Sequence, residues 1–336
     1  MKVSILDQTQ LTAKTNAEEE FRNTVELAKY LDELGYTRYW LSEHHSTDAL
    51  AGSAPEILAS YLLGQTQKIK IGTGGVMLPH YSAYKVAEMF QVMSALAPER
   101  VDLGVGRAPG GHHLSNFALK GESISKPNID QFPEQIDAIL SFFKNEVPEN
   151  SQLKGLLTTP VTMTSADFWV LGTSASSALL AAEKGLPYVF AQFINYQPGE
   201  MARNIKLYRD NFKPSALLSE PKVIITIKTI LAETNEQAHY IAKSALRFNF
   251  YLHRGQLTRL VDPEQALDDV KSTKEQQEIE VLKDTYLIGD KATVRKNVQY
   301  LKQQLDIDEI MTISPIYDFE TRKNSLRLLK EAVEDL

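Results

Sequence analysis

The sequence predicts an α/β fold, a single (β/α)8 TIM barrel with insertions after the fourth and seventh strands, and three observations carry it. Short β-rich apolar runs alternate with longer amphipathic stretches from one end to the other, eight such runs are present, and no Pro/Gly/Ser-rich linker divides the 336 residues. Strict alternation implies parallel strands joined by right-handed crossovers, and eight units suffice to close a barrel. The competing fold is a doubly wound nucleotide-binding sheet, whose G-x-G-x-x-G fingerprint is not met. Gly72-Thr73-Gly74-Gly75-Val76-Met77 ends in Met where the last glycine belongs, and Gly104-Val105-Gly106-Arg107-Ala108-Pro109 ends in Pro.

In chain order the strands are expected at 3–6, 38–42, 69–73, 101–105, 168–172, 188–193, 222–231 and 309–313. A helix follows the first strand after Asn16, because Phe21, Val25, Ala28, Leu31 and Leu34 recur at three- and four-residue steps and Gly35 suits the C′ position. Further helical patterns lie at 55–66, 83–96, 131–144, 175–184, 199–213, 236–252, 292–305 and 321–335, the stripe Val294, Val298, Leu301 and Leu305 being one example. These stripes, and Trp40 and Trp169 within the second and fifth strands, read as core packing. Two segments exceed a minimal barrel, 108–130 and 254–288. The second is rich in Asp, Glu, Lys and Gln and reads as a solvated excursion over the barrel mouth, either a lid or an inert insertion.

Composition removes whole classes of chemistry. With 36 Lys+Arg against 43 Asp+Glu, a net charge of −7 is spread along the chain, which argues against nucleic acid or an anionic membrane as the main partner. There is no cysteine, so disulfides, thiolate nucleophiles, zinc–thiolate sites and iron–sulfur clusters are excluded, and redox chemistry must sit on a bound cofactor. The N-terminal apolar stretch is too short for a secretory signal, and no apolar run approaches the ~20 residues of a membrane span, so the cytoplasm is the expected compartment.

In such barrels the C-terminal strand ends build the site. Ser42-Glu43-His44-His45 follows the second strand. Adjacent histidines point apart and lack the i, i+4 spacing of a metal pair, whereas one histidine beside a carboxylate suits proton transfer near neutral pH. On the third strand Gly72, Gly74 and Gly75 leave space for either a planar ligand or a closely approaching backbone. His80 ends that strand as a ligand group or a solvated cap, and His112 and His113 carry no assignment. A divided anion site is the third feature. Arg107 ends the fourth strand, and Gly172-Thr173-Ser174-Ala175-Ser176-Ser177 opens a helix whose N–H groups and hydroxyls suit phosphate oxygens, with Ser174 also placed as an N-cap.

These segments resemble the bacterial luciferase-like flavin monooxygenase superfamily. Leu34-Gly35-Tyr36 through Trp40-Leu41-Ser42-Glu43-His44-His45 is similar to its "LGF…WLxEHH" segment, and Ile71-Gly72-Thr73-Gly74-Gly75-Val76-Met77-Leu78-Pro79 to its third-strand signature. The stretch Pro98-Glu99-Arg100 through Leu103-Gly104-Val105-Gly106-Arg107-Ala108-Pro109-Gly110 resembles the "P-x-R-x-x-L-G-x-G-R-A-P-G" segment of the luciferase-alpha-like, non-luminescent oxidoreductase branch. The likeness extends to the fifth-strand segment and to Gly289-Asp290 and Asp308-Glu309, and is weakest at 112–165 and 254–288.

The resemblance implies a barrel that binds FMN, takes it as FMNH₂ from a separate NAD(P)H-dependent flavin reductase, and uses oxygen to oxidise a small organic substrate. Carried over, His44 is the active-site histidine. Gly74, Gly75 and Val76 contact the cofactor, the two glycines along its ring and often at a non-proline cis peptide. Arg107 with Gly172, Thr173, Ser174 and Ser177 holds its phosphate. Family members commonly pair through helices near the second and third strands, so a homodimer is expected. Light-emitting relatives carry a cysteine where Gly106 stands, so light emission is not expected here. Three alternatives stay open: a non-catalytic flavin-binding protein, a deazaflavin-dependent hydride-transfer enzyme, and a metal-dependent hydrolase built on His44 and His45.

Overall fold

Most helices begin on a side chain that closes their first turn. Asn16, Ser82, Ser174, Thr234, Ser272, Asp290 and Asp318 each accept from a backbone N–H three residues on, satisfying a donor that the helix itself leaves unpaired. The helices are α1 (Ala17–Glu33), α2 (Pro55–Leu63), α3 (Ala83–Leu96), α4 (His113–Lys120), α5 (Phe132–Lys144), α6 (Ala175–Glu183), α7 (Glu200–Asp210), α8 (Asn235–Leu252), α9 (Thr273–Lys283), α10 (Lys291–Leu305) and α11 (Phe319–Val333). The strands are β1 (Lys2–Asp7), β2 (Arg38–Leu41), β3 (Lys70–Met77), β4 (Val101–Gly106), β5 (Asp167–Gly172), β6 (Tyr188–Ala191), β7 (Val223–Leu231), β8 (Tyr286–Gly289) and β9 (Glu309–Ile313). The computed structural model describes residues 1–120, 131–147, 152–194, 197–307 and 309–336. Residues 121–130 of the first insertion therefore lie outside the described residues.

All pairings between these strands are parallel. β1 through β7 follow one another around the ring, and β9 closes it by lying between β7 and β1, with Ile224↔Glu309 on one side and Lys2↔Glu309 on the other. The eight strands of the closed barrel are the eight that the sequence predicts. The ninth, β8, is an addition. It pairs only with the second half of β7, from Lys228↔Tyr286 to Leu231↔Gly289, on the side where β6 has already ended at Ala191↔Thr226. Four residues inside a charge-rich segment are too short a run to show a period, which is why the sequence reading passed over it.

Inside the barrel the side chains form layers. Toward the N-terminal ends of the strands, Arg38 is 3% exposed and donates to Asp102 at 2.7 and 2.8 Å and to Glu309 at 2.9 Å. Above this layer Leu6, Trp40, Trp169, Val189, Ile224, Met311 and Ile313 fill the interior, the two indoles meeting edge to face at 5.7 Å. A larger core packs the outward faces of the strands against the surrounding helices. The segment 254–288 is only partly the solvated excursion expected of it. Val270, Ile279, Leu282 and Tyr286 are buried with Ile230 and Phe250 in a second core between α8, α9 and the end of β7, and Leu260 exchanges backbone hydrogen bonds with Leu11 and Ala13.

Candidate active site

Past the C-terminal end of β2 the chain carries a fully buried carboxylate, Glu43, and three neighbouring segments are tied to it. Its Oε1 accepts from Tyr81 Oη at 2.6 Å and lies 2.7 Å from His45 Nε2, and its Oε2 accepts from the Met77 backbone N–H at 2.8 Å. A buried carboxylate is tolerated where donors surround it, and this one joins the ends of β2 and β3. Burial and the bond to Glu43 push the Tyr81 hydroxyl well above its ordinary pKa, so it stays a proton donor. The loop after β4 is laid onto the same group: the His45 N–H donates to the Gly110 carbonyl at 2.8 Å, His80 Nε2 lies 2.8 Å from the Pro109 carbonyl, and His112 Nε2 lies 2.9 Å from Ser46 Oγ.

The histidine pair divides as its spacing requires. His45 turns to Glu43, so the carboxylate beside the histidines serves the second of them and not His44. Among the described residues the His44 ring has no hydrogen-bond partner, while its backbone N–H is fixed to the Gly52 carbonyl at 2.8 Å. Desolvation, reinforced by the neighbouring His45, lowers the His44 pKa to about 4. At neutral pH its imidazole is uncharged, with a ring nitrogen able to accept a proton.

The glycines of β3 admit close neighbours of the chain itself. A Cβ at position 74 would stand 2.7 Å from Leu6 Cδ1 and 2.9 Å from Trp40 Cε3, and one at 75 would stand 2.8 Å from the Gly104 carbonyl oxygen. Of the two readings of this segment, a planar ligand or a closely approaching backbone, the second is present at Gly75, whereas at Gly74 the close neighbours are side chains. The Gly74–Gly75 peptide between them is cis, in keeping with the resemblance, and Val76, buried in the outer core, follows directly.

At the end of β5 the predicted anion segment forms the first turn of α6. Ser174 caps it by accepting from the Ser177 N–H, and the Ser177 hydroxyl donates to the Ser174 carbonyl at 2.7 Å, so Ser177 is 7% exposed and occupied within the turn. A side chain on Gly172 would overlap that of Ser177, which explains the glycine. Ser174 and Ser176 are exposed and Thr173 is half-buried, leaving their hydroxyls at the surface of the helix N-terminus. Arg107 is exposed, with its guanidinium 5.2 Å from the Phe132 ring centroid.

Five of the buried polar atoms that have no hydrogen-bond partner among the described residues stand at the same end of the barrel. Gln10 Nε2, Ser42 Oγ, His80 Nδ1, Gln192 Oε1 and Ser314 Oγ stand just past the C-terminal ends of β1, β2, β3, β6 and β9. Native interiors leave few such atoms, and a set of them around one mouth points to a ligand that supplies the partners. Sequence reasoning did not single out Gln10, Gln192 or Ser314, which are ordinary polar residues until the barrel closes. It also missed Tyr81 and Lys228, although a lone lysine in the apolar run Val223-Ile224-Ile225-Thr226-Ile227-Lys228-Thr229-Ile230-Leu231 was a visible signal.

The chain is similar to known proteins along most of its length. The family described as luciferase-like monooxygenase matches residues 1–308. YwcH of Bacillus subtilis (strain 168) is 38% identical over 339 residues, covering 100% of both chains, and the N-acetyl-S-alkylcysteine monooxygenase of the same organism is 35% identical over 335 residues, covering 99% of this chain and 98% of its own. Among solved structures, apo-MsnO8 superposes with a TM-score of 0.88 at 29% identity, covering 99% of this chain and 98% of its own. The oxygenating constituent of 3,6-diketocamphane monooxygenase from Pseudomonas putida, solved in complex with FMN, shares the fold with a TM-score of 0.77 at 18% identity, covering 100% and 98%.

Proposed function

The chain belongs to the luciferase-like monooxygenase family, and on that premise we propose that it oxidises a small organic substrate with oxygen and FMNH₂ supplied by a separate NAD(P)H-dependent flavin reductase. The observation that carries this reading is the ring of unpartnered buried polar atoms at the mouth, beside a neutral His44. The residues present fit FMN: the exposed hydroxyls at the start of α6 and the Arg107 guanidinium suit a phosphate, and the Gly74–Gly75 peptide carries no side chain toward a flat ring. Arg107, Gly172, Thr173 and Ser174 would hold the phosphate end, and Ser177 would keep that turn in shape. Gly74 and Gly75 would line the ring, with Val76 contributing only backbone because its side chain is buried in the outer core. Bound FMNH₂ would supply the two electrons that reduce oxygen, one oxygen atom passing to the substrate and the other leaving as water.

The chain's own part is to position and to exclude water. Glu43 fixes His45, Tyr81 and the end of β3, so the segment bearing His44 cannot swing. His44 accepts or returns a proton at its ring nitrogen, and its uncharged state at neutral pH leaves it free to accept. The charged segment 254–288 acts as the cover on the β7 side. The 35% identity with the N-acetyl-S-alkylcysteine monooxygenase makes S-alkyl thioethers the first substrates to try.

The test is reductase-coupled oxygen uptake with a thioether panel, beside direct titration of FMN and FMNH₂. His44→Ala is expected to lower oxidation by about a hundredfold or more with little change in flavin affinity. Arg107→Ala is expected to weaken FMN by about 1.5–3 kcal/mol. A protein that binds neither form of FMN would end this reading.

We also infer a homodimer. Phe21, Ile57, Tyr61, Val92 and Leu96 are large apolar side chains exposed along α1, α2 and α3, where two surface grooves of about 670 and 810 Å³ run between the helices. A second copy covering this face accounts for it, and light scattering distinguishes a dimer from a monomer.

A further inference from the structure

Lys228 lies on the mouth-side half of β7, 6% exposed, and among the described residues it has no carboxylate partner. Its Nζ donates to Asn249 Oδ1 at 2.8 Å and stands 5.0 Å from the Tyr286 ring centroid. Arg38 on β2, by contrast, holds two carboxylates, and so does the buried Arg322 on α11, with Asp7 and Glu20. A buried ammonium with only a neutral amide and an aromatic face is expensive to keep, and a methionine of similar size would cost less. The charge that would compensate it therefore comes from outside the chain.

The amine has access to such a charge. Lys228 and Asn249 line a cavity of about 540 Å³ between the end of β6, α8 and α9. Phe193, Phe250, Val281 and Leu282 give it an apolar surface, among polar residues that include Gln197, Gln277 and Thr285. At its exposed rim Arg254 is committed to Glu278 at 2.6 Å, and Lys274 and His253 complete the charged and titratable groups that face it from α8 and α9, Tyr286 being the one from β8. One desolvated ammonium at the buried end of an apolar recess matches one negative charge on an apolar body. It does not match inorganic phosphate, which calls for several converging donors.

From this geometry we infer that the cavity beside Lys228 is a binding site for an organic monocarboxylate, the carboxylate paired with the Lys228 ammonium and the apolar body against Phe193 and Phe250. Its use as the substrate's recess rests on the oxygenase reading above, whereas the anion site itself does not. Burial lowers the Lys228 pKa to about 7, so a carboxylate bound above that pH must bring a proton onto the amine. Binding then weakens as pH rises through and above this value.

Calorimetric titration of the flavin-free protein with hexanoate and with 1-hexanol, at about pH 6 and about pH 9 in buffers of different ionisation heat, tests the site. Hexanoate is expected to bind and hexanol not, with close to one proton taken up at the higher pH. Inorganic phosphate is expected not to displace hexanoate, and Lys228→Met to lose at least about tenfold in affinity at the lower pH, the loss typical of a charged hydrogen bond. Equal binding of acid and alcohol, displacement by phosphate, absence of proton uptake, or an unchanged affinity in the variant each overturns the proposal. The wild-type measurements decide it even if the variant does not fold. Because no flavin is present, failure here and failure of the oxygenase reading are separate results.

Discussion

At the N-terminal end of the barrel Arg38 forms three short hydrogen bonds to Asp102 and Glu309, and these carboxylates also accept from Trp40 Nε1 at 2.8 Å and Ser4 Oγ at 2.6 Å. At the C-terminal end Lys228 has one neutral partner, His44 has a ring without one, and five further polar atoms are buried unpaired. Both ends bury charge in the same β-structure, so composition does not separate them. What separates them is satisfaction. The first end matches its cation with carboxylates, leaving Glu309 Oε2 as the one oxygen of the two carboxylates without a partner among the described residues. The second holds a cation with no counter-charge among those residues, which a ligand can supply on binding.

The sharpest way to break this comparison is at the paired end. Arg38→Met leaves Asp102 and Glu309 buried without their cation and is expected to cost about 3–5 kcal/mol in urea unfolding. A loss below about 1 kcal/mol would show that the layer is not held by its charges. Lys228→Met is expected to act in the opposite direction. In the wild type the unfolded lysine titrates at its ordinary 10.5 and the folded one at about 7, so between these values the unfolded state binds the extra proton and stability rises with pH. The variant lacks that slope and is expected to be more stable at and below pH 7, by on the order of a few kcal/mol. Parallel stability curves for the two proteins across this window would refute the unpaired state of Lys228.

Glu43→Gln probes a satisfied site at the mouth. It sets an amide N–H₂ among three donors and is expected to cost about 1–3 kcal/mol, read as a lowered melting temperature together with changed NMR shifts of the His45 ring. No change in the His45 signals would remove Glu43 as its anchor. The smallest effect belongs to Ser272→Ala, which removes the capping box of α9, a wall of the Lys228 cavity, and is expected to cost about 1 kcal/mol. Hydrogen exchange should locate that loss in α9 and leave β1 to β6 unchanged.

Much of this was legible in the residues. The eight closing strands, the caps and most helices follow from periodicity and short-range chemistry, which act over a few residues and need no fold to be seen. His44, Arg107 and the start of α6 stood out because special residue types sit at strand ends. α4, α9 and β8 were missed because they are short or charged; α9 and β8 owe their place to contacts with α8 and β7, and α4 to contacts with residues 78–80. Which histidine Glu43 meets stays open in the sequence for a related reason. Adjacency in sequence placed it with the histidines, but the opposed directions of successive side chains decided which of them it meets.

By itself the sequence determined the alternating barrel, the absence of thiol chemistry, and the family to which the chain belongs. Each depends on local pattern or on residue count. Which polar groups are paired, and therefore which are available to a ligand, was decided only by the tertiary structure. Arg38, Asp102 and Glu309 are far apart in the chain and find one another only when the ring closes between β9 and β1, while Lys228, drawn from an equally apolar strand, finds no such counter-charge. Satisfaction of a buried charge is a property of the long-range contacts around it, and a linear pattern does not contain them.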